Sequence, residues 1–417
     1  MLIVSLVFSC APKKRDEVDL EHYRPKYHFS PARNWTNDPN GLVYYDGEYH
    51  LYYQHNPYGN KWGHMSWGHA VSKDLNTWEH LPVAMPEYVD NEGDSVMIFS
   101  GSAVVSGDTL WAIYTSHKST KQAQCIAYSV DKGRTYTQYE KNPVIDLGLK
   151  DFRDPKVFWY EPQKKWVMTV VIPDQHKAQF YESTDLKKWK LLSEFGNVGD
   201  VSKIWECPDL FQVDDKNWVL LISGSHPQHG PYPGMQYFVG SFDGTKFVAD
   251  KPEQYPLYVD FGKDFYAAVT YNNDPQNRKI LLGWATNPAY AGDIPTSPFR
   301  CMMSLPRELS LYETSNGLRL KQVPVTKMSA AHFELSATDT INVAGATIGF
   351  RSDSVYFDRR KAGDVSFNDR FPSIEKAPAR LIDGKVKLDV YFDEAIVEVF
   401  INDGEAVITD LVFPVNN

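Results

Sequence analysis

Apolar and polar residues alternate in short segments along most of the chain, the period-two pattern of β-strands with one buried face. In three places two such segments flank a short polar turn, which predicts a β-hairpin. The hairpins read LVYYDGEYHLYYQ (42–54), VFWYEPQKKWVMTVV (157–171) and LFQVDDKNWVLLIS (210–223). Helical patterns are scarce, so the sequence predicts an all-β protein.

A second element occurs four times: an apolar strand, a serine, one further residue, an aspartate, a short turn and an aromatic residue. Its serines are Ser72, Ser129, Ser183 and Ser241, spaced by 57, 54 and 58 residues. Four-stranded units repeated at near-constant spacing are the signature of a β-propeller. A fifth unit, at 268–287 and 302–313, lacks the serine–aspartate pair, as expected of a unit that must also close the ring.

These repeats predict a five-bladed β-propeller over residues 25–315 and a β-sandwich domain over residues 318–417. The clearest strand pair of the second domain is KVKLDVYFDEAIVEVFIND (385–403). A large sandwich of irregular strands is the alternative for the first domain. It would explain the alternation but not the constant spacing.

Residues 1–24 have the pattern of a lipoprotein export signal and tail. The apolar run LIVSLVFS (2–9) ends at Cys10 and is followed by polar residues. The length of this run fits a signal peptide. We therefore expect an exported protein that is lipid-anchored through Cys10 to the outer membrane or cell surface. A disordered apolar start is the alternative.

Composition narrows the classes of function. A net charge of −10 argues against nucleic-acid partners, which require clustered Lys and Arg. Aromatic residues make up 14% of the chain, and both β-strands and sugar-binding sites use such side chains. No Cys-x-x-Cys motif or His pair has metal-ligand spacing, so no metal or other cofactor is expected.

Three acidic clusters lie just ahead of hairpins, on the first strand of a repeat: NDPNG (37–41), RDPK (153–156) and ECPD (206–209). A surface turn would explain WTNDPNG alone. However, Asp38 and Asp154 are 116 residues apart, about two repeats, and Asp154 and Glu206 are 52 apart, about one. First strands line the channel of a propeller. The spacing therefore predicts that the three carboxylates converge there.

Converging carboxylates repel one another, a cost that folds retain mainly where chemistry requires it. Two acids across a channel suit glycoside hydrolysis, in which one protonates the leaving oxygen and the other attacks the anomeric carbon or activates water. A calcium site is the alternative, but Ca²⁺ prefers several oxygens within one loop.

The same motifs resemble those of glycoside hydrolase family 32, the β-fructosidases that include levanases, inulinases and invertases. The resemblance spans nearly the whole chain after residue 25. Its further matching stretches are YYQHNP (52–57), WGHAVSKDL (67–75), FSGSAV (99–104), GWA (283–285), SLPREL (304–309) and VEVFINDGEAVITD (397–410).

The resemblance implies a five-bladed propeller followed by a sandwich, and a retaining mechanism. Asp38 would be the nucleophile, Glu206 the general acid and then base, and Asp154 the transition-state stabiliser, with Arg153 also binding fructose. Asn37 and Gln54 would donate hydrogen bonds to sugar hydroxyls. The implied apolar wall is Trp62, Phe99 and Trp284, and the implied further contacts are Ser100, Asp264 and Tyr266. Cys207 reads as a small packed side chain rather than a nucleophile.

The leading hypothesis is therefore a hydrolase of β-fructans or sucrose. A fructan-binding lipoprotein on an inactive scaffold is one alternative, and a related hydrolase of arabinose- or xylose-containing glycans is another. All three acids are present, which favours the enzyme. Linkage preference, exo or endo action and oligomeric state stay open. The last 100 residues are short for the family's sandwich, so its completeness stays open too.

Overall fold

The computed structural model describes residues 21–229 and 233–415. Cys10 and the predicted export signal lie outside the described residues. The described part of the chain holds 31 β-strands, five single turns of 3₁₀-helix and no α-helix, which confirms the all-β prediction. In those ranges no helix is long and apolar enough to cross a membrane. The 3₁₀ turns are Glu21–Tyr23, Glu161–Gln163, Pro173–Gln175, Pro227–His229 and Pro252–Gln254.

Five sheets, numbered 1 to 5, follow one another along the chain, and we number the strands in chain order. Sheet 1 contains β1 (Asn34–Tyr45), β2 (Glu48–Asn56), β3 (Ser66–Ser72), β4 (Glu79–Met85) and, beside β1, the late strand β21 (Phe299–Arg300). Sheet 2 contains β5 (Tyr88–Val89), β6 (Ser95–Ser106), β7 (Thr109–Lys118), β8 (Lys121–Ser129) and β9 (Thr137–Gln138).

The next three sheets repeat the antiparallel order. Sheet 3 contains β10 (Arg153–Tyr160), β11 (Lys165–Ile172), β12 (Lys177–Ser183) and β13 (Lys190–Gly196). Sheet 4 contains β14 (Glu206–Gln212), β15 (Trp218–Ser225), β16 (Pro233–Phe242), β17 (Phe247–Ala249) and β18 (Leu257–Tyr258). Sheet 5 contains β19 (Tyr266–Thr270), β20 (Ile280–Trp284), β22 (Arg307–Thr314) and β23 (Gly317–Pro324).

One strand from each sheet contacts its counterpart in the next sheet. In chain order these strands are β1, β6, β10, β14 and β19, and β19 in turn contacts β1. Buried apolar side chains fill the space between neighbouring sheets: Val157 and Met168 of sheet 3, for example, share a cluster with Ile113 and Ile126 of sheet 2. The late strand β21, which lies between β20 and β22 of sheet 5 in the chain, pairs in parallel with the start of β1.

The recurring serine–aspartate element is the turn after the third long strand of sheets 1 to 4. In the first three turns the serine hydroxyl donates to the aspartate two residues later, as from Ser129 to Asp131 at 2.7 Å. The aspartate then accepts backbone N–H groups of the turn; Asp243 does so in sheet 4. Such side-chain to backbone bonds stabilise tight turns, which explains the motif.

The predicted boundary between the two domains lies close to the end of sheet 5. Residues 315 and 316 form the tight turn between β22 and β23, which are hydrogen-bonded along their whole length. The boundary at 315–318 therefore falls inside a hairpin of sheet 5. That sheet ends at Pro324, and the next strand begins at Ala331.

Two four-stranded sheets follow. Sheet 6 contains β24 (Ala331–Leu335), β29 (Val386–Asp393), β30 (Ile396–Ile401) and β31 (Ala406–Leu411). Sheet 7 contains β25 (Thr340–Val343), β26 (Ala346–Arg351), β27 (Ser354–Asp358) and β28 (Ile374–Pro378). Their inward side chains share one core, in which Ile348 and Phe357 of sheet 7 lie with Leu388 and Val399 of sheet 6.

Buried ion pairs join this pair of sheets to the first five. Arg307 of β22 contacts Glu398 of β30 at 2.7 Å and Asp260 at 2.9 Å. Arg359, just after β27, pairs with Asp264 and Asp410. Both guanidinium groups are fully buried, and buried charges persist only where partners satisfy them.

Candidate active site

Each of the five contacting strands carries a β-bulge at the same level, where two residues oppose one on the partner strand. The residue pairs are Asn37–Asp38, Phe99–Ser100, Asp154–Pro155, Cys207–Pro208 and Ala267–Ala268. Bulges redirect side chains and break regular alternation. Regular alternation along the strand therefore does not tell which side chains near a bulge face the cavity.

The three predicted acids come from these bulges, but from three different positions. Asp38 is the second residue of its bulge, Asp154 is the first, and Glu206 immediately precedes one. The acids thus lie on equivalent strands, as expected, with offsets of one residue. All three line a single cavity of about 460 Å³, which confirms that the side chains converge.

Asp38 is held by neighbours from two sheets. Its Oδ1 accepts a hydrogen bond from Asn37 Nδ2 at 3.1 Å and its Oδ2 accepts one from Ser100 at 2.5 Å. Trp35 donates to the Asn37 amide oxygen at 2.7 Å, which orients the Asn37 nitrogen towards Asp38. Burial raises the pKa of Asp38, and the bonds from Ser100 and Asn37 partly offset that effect. Gln54 donates to Ser100.

Asp154 lies deeper. Its Oδ2 accepts the backbone N–H of Cys207 at 2.9 Å, and its own N–H donates to Thr115 at 2.9 Å. Burial raises the pKa of Asp154 to about 7, although the Arg153 guanidinium opposes the shift. The nearest Arg153 nitrogen is 3.9 Å from Asp154 Oδ2, too far for a hydrogen bond.

Arg153 instead pairs with Glu206. Its Nη2 and Nε lie 3.0 and 3.3 Å from Glu206 Oε1, while Tyr266 donates its hydroxyl to Glu206 Oε2 at 2.7 Å. Burial and the nearby Glu206 raise the pKa of Tyr266 well above its usual value, so the phenol stays a donor. Arg153 also contacts Asp151 at 2.9 Å. Both oxygens of Glu206 are therefore held before any substrate binds.

Aromatic side chains form the cavity wall. Trp284 is buried and its ring centre lies 6.2 Å from that of Trp35. Trp62 is 54% exposed and its ring centre lies 6.0 Å from that of Phe99. The three residues predicted as an apolar wall thus lie in the cavity, one of them at its open rim.

The structure does not bring Asp264 to the cavity. It is fully buried, pairs with Arg359, and accepts hydrogen bonds from the Tyr290 hydroxyl and from the backbone N–H of Leu411 at 2.8 Å. The carboxylate therefore belongs to the contact between sheet 6 and the first five sheets. These partners occupy the carboxylate, and the structure does not place it among the residues that line the cavity.

Sequence reasoning missed five residues that line the cavity: Trp35, His117, Gln122, Asp151 and Pro288. Trp35 and Asp151 lie within two residues of predicted site residues, so proximity to those motifs was a usable signal. His117 and Gln122 pair across the hairpin of β7 and β8. Nothing in their local sequence marks them as part of a site.

Cys207 lies between two of the acids. Its Sγ is 3.6 Å from Asp38 Oδ2 and 3.6 Å from Asp154 Oδ2. Burial, and then the negative charges of Asp154 and Asp38, raise the pKa of the thiol well above its usual value. A thiol of that kind is a poor nucleophile and a weak hydrogen-bond donor, as the sequence suggested.

The acids of the cavity do not form a metal-binding group. In residues 21–229 and 233–415, the one set of acids with ligand atoms close enough together for a metal is Asp90, Glu92 and Asp94. That set lies outside the cavity, and Lys118 forms ion pairs with all three members. Acid–base and nucleophilic chemistry by the carboxyl groups is what the cavity supports.

An all-β chain with paired catalytic-type carboxyl groups in an aromatic cavity has the features of a glycoside hydrolase. The chain belongs to glycosyl hydrolases family 32: residues 28–324 match the family's N-terminal domain and residues 308–417 match its C-terminal domain. It is therefore a glycoside hydrolase.

Several characterised proteins are similar to it. A levanase of Bacillus subtilis (strain 168) is 43% identical over an alignment 478 positions long, which covers 99% of this chain and 69% of the levanase. Invertase 2 of Saccharomyces cerevisiae is 41% identical over 341 residues, covering 74% of this chain and 63% of the invertase. The crystal structure of an exo-inulinase from Aspergillus awamori superposes with a TM-score of 0.85 at 35% identity, covering 94% of this chain and 93% of that one.

Proposed function

We propose that the protein is a retaining β-fructosidase that releases fructose from β-fructans such as levan or inulin, or from sucrose. The observation that carries the proposal is the convergence of Asp38, Asp154 and Glu206 on one aromatic-walled cavity. The names of the similar enzymes support the substrate class.

In the proposed reaction Asp38 attacks the anomeric carbon of a fructosyl unit while Glu206 protonates the departing glycosidic oxygen. The product is a fructosyl ester on Asp38 and a free leaving-group alcohol. Glu206, now ionised, then takes a proton from water, whose oxygen attacks the same carbon and releases Asp38. Two displacements give net retention.

Asp154 binds fructose hydroxyls and stabilises the developing positive charge. The nucleophile must be ionised, and the hydrogen bonds from Ser100 and Asn37 favour the ionised form of Asp38 against the effect of burial, which raises its pKa. Arg153 hydrogen-bonds to Glu206 and acts on Asp154 through its charge alone. Asn37 and Gln54 act through Asp38 and Ser100, to which they donate.

We further propose that sheets 1 to 5 are the blades of a five-bladed propeller and that sheets 6 and 7 form a β-sandwich. The cyclic contacts of β1, β6, β10, β14 and β19 and the shared core of sheets 6 and 7 support this architecture. Residues up to 324 then form the catalytic domain and residues from 331 the second domain.

Asp38→Ala and Glu206→Ala test the catalytic assignment. Each should lower kcat on levan, inulin or sucrose by about a thousandfold or more, because each removes a group that forms or breaks a bond. Fructose release is measured by chromatography beside a thermal melt. Glu161→Ala, an exposed glutamate, is the control.

A folded variant that keeps more than about a tenth of wild-type kcat would reject its residue's role. The products that the wild-type protein releases also distinguish the proposed activity from its alternatives. Fructose alone supports the proposal, a ladder of oligosaccharides indicates an endo-acting enzyme, and tight fructan binding without turnover indicates a binding protein.

We propose that the protein is exported and lipid-anchored through Cys10, because an apolar run ends at that cysteine. Cys10→Ala should move the protein from the membrane fraction to the soluble fraction, since acyl chains supply about 0.8 kcal/mol per buried CH₂. Cys125→Ala serves as the control, since Cys125 is a buried free cysteine far along the chain. An unmodified Cys10 in the mass spectrum of the native protein would rule out the anchor.

A further inference from the structure

The rim of the cavity holds a hydrogen-bond donor that the catalytic scheme does not use. His117 and Gln122 face each other across the β7–β8 hairpin, and both line the cavity. Gln122 Nε2 lies 3.2 Å from His117 Nδ1. Since an amide nitrogen can only donate, the orientation of the Gln122 amide decides which His117 nitrogen carries the hydrogen.

Two donors fix that amide. Gln122 Oε1 accepts the backbone N–H of Phe152 at 2.8 Å and an N–H of Arg153 at 3.3 Å. The oxygen must therefore face Phe152 and Arg153, and the nitrogen must face His117. Nδ1 of His117 is then an acceptor, and the ring hydrogen sits on Nε2.

The surroundings of His117 favour the neutral form of its ring. Burial lowers the pKa of His117, the positive charges of Arg153 and Lys150 lower it further, and Asp151 opposes them. These are the charged groups that act on the ring. Within the described residues no acceptor pairs with Nε2, so its N–H is available to a ligand in the cavity.

The ring is also held rigidly. It stacks on Phe99 with ring centres 4.1 Å apart and planes 2° apart, and Phe99 meets the exposed Trp62 edge-on. These three rings form an aromatic rim with one donor. The rim connects through Gln122 to Arg153, which holds Glu206. Glu206 protonates the leaving oxygen in the proposed reaction and lines the same cavity as this rim, so a leaving sugar at Glu206 has the rim within the same cavity.

We propose that the Nε2–H of His117 donates a hydrogen bond to a hydroxyl of the departing sugar, so that His117 is a specificity-determining residue for saccharide leaving groups. The Trp62 and Phe99 rings provide the apolar face for the same sugar. Gln122 is a positioning residue that fixes the His117 tautomer. The inference rests on the proposed function, since it assumes fructosyl transfer from a sugar.

Two kinds of substrate separate this role from general damage to the site. Sucrose and a fructo-oligosaccharide carry a sugar leaving group, whereas β-fructofuranosyl fluoride has a leaving group without hydroxyls. His117→Ala should lower kcat/KM for the saccharides by roughly tenfold, the effect of one lost hydrogen bond, and change kcat/KM for the fluoride less than about twofold. His117→Gln, which retains a donor, should recover most of the loss.

His64→Ala is the matched control, because His64 is exposed and lies outside the cavity lining. Equal losses on saccharide and fluoride substrates would overturn the proposal, as would an unchanged kcat/KM for sucrose in a folded His117→Ala variant. A wild-type enzyme that hydrolyses neither sucrose nor the fluoride would reject the proposed function and the inference together. Hydrolysis of both by wild type with no discrimination by His117→Ala rejects the inference alone.

Discussion

The charge of Asp154 depends strongly on its surroundings. Its carboxyl group is almost fully enclosed, and burial disfavours the ionised form more than the Arg153 guanidinium favours it. Arg153 hydrogen-bonds to Glu206 and not to Asp154, although Arg153 and Asp154 are adjacent in the chain. The proposed stabiliser thus titrates near neutral pH, and it costs the folded state free energy once it ionises.

Asp154→Asn should reveal that cost as a pH-dependent gain in stability. The carboxyl ionises near 3.8 in the unfolded chain and near 7 in the folded one, so the folded state binds an extra proton between these values. Stability therefore falls as pH rises through that window. Above pH 7 the variant should be more stable than wild type by up to about 4 kcal/mol, and the difference should shrink towards pH 4.

Urea unfolding at pH 5 and pH 8 measures the difference, and Asp151→Asn, at the exposed rim beside Arg153, is the control. A difference that is the same at both pH values would contradict the raised pKa. Activity should be lost in Asp154→Asn above pH 7, where the wild-type carboxylate carries the charge that stabilises the transition state.

At the scale of elements, the bulges shape the site. In β10, β14 and β19 the first bulge residue has a positive φ, at Asp154 (66°), Cys207 (45°) and Ala267 (53°). Non-glycine residues rarely adopt that conformation, and strained positions of this kind cluster at functional sites. In each strand the strained residue belongs to the site or directly follows a residue that does: Cys207 follows Glu206, and Ala267 follows Tyr266.

Ala267→Val should therefore harm both stability and catalysis. A β-branched residue is disfavoured at positive φ, and the site is fully packed, so a loss of about 2–4 kcal/mol is expected. Because Tyr266 holds Glu206, kcat should fall as well. Thermal melts and sucrose kinetics measure the two effects.

Ala112→Val is the matched control, since Ala112 is equally buried in the middle of β7 but its φ is not positive. It should lose stability through overpacking alone and keep its kcat. Similar melting temperatures for the two variants, with kcat unchanged in both, would show that the bulge geometry is not critical.

At the scale of the whole molecule, buried charges decide how the C-terminal pair of sheets is attached. Asp264, which follows sheet 4, pairs with Arg359 of the C-terminal region, and Arg307 pairs with Glu398 of β30. All four side chains are fully buried. Removing one member of such a pair leaves an uncompensated charge away from water.

Asp264→Ala should destabilise the protein by about 3–5 kcal/mol and leave KM for sucrose unchanged. The reason is that Asp264 contacts Arg359, Tyr290 and Leu411 rather than the cavity. Denaturant unfolding and steady-state kinetics provide the two readouts. Asp215→Ala, in an exposed turn, is the control. A raised KM with unchanged stability would place Asp264 in substrate binding after all.

The sequence by itself determined the features that depend on local pattern. Period-two alternation specifies strands, because successive side chains point to opposite faces. The serine–aspartate turns mark repeat units, because their hydrogen bonds are made within a few residues. The phase of Asp38, Asp154 and Glu206 against those repeats was sufficient to predict that three carboxyl groups meet, since equivalent strands occupy equivalent places.

Only the tertiary structure decided which neighbours these residues have. The bulges depend on pairing with the next strand, so the one-residue offsets of the acids are invisible along the chain. Arg153 bonds to Glu206, 53 residues away, and Asp264 bonds to Arg359, 95 residues away. The hairpin that places His117 and Gln122 at the cavity is likewise positioned by the packing of sheet 2. Distances between side chains that are remote in sequence are set by strand register and sheet packing, which no local pattern encodes.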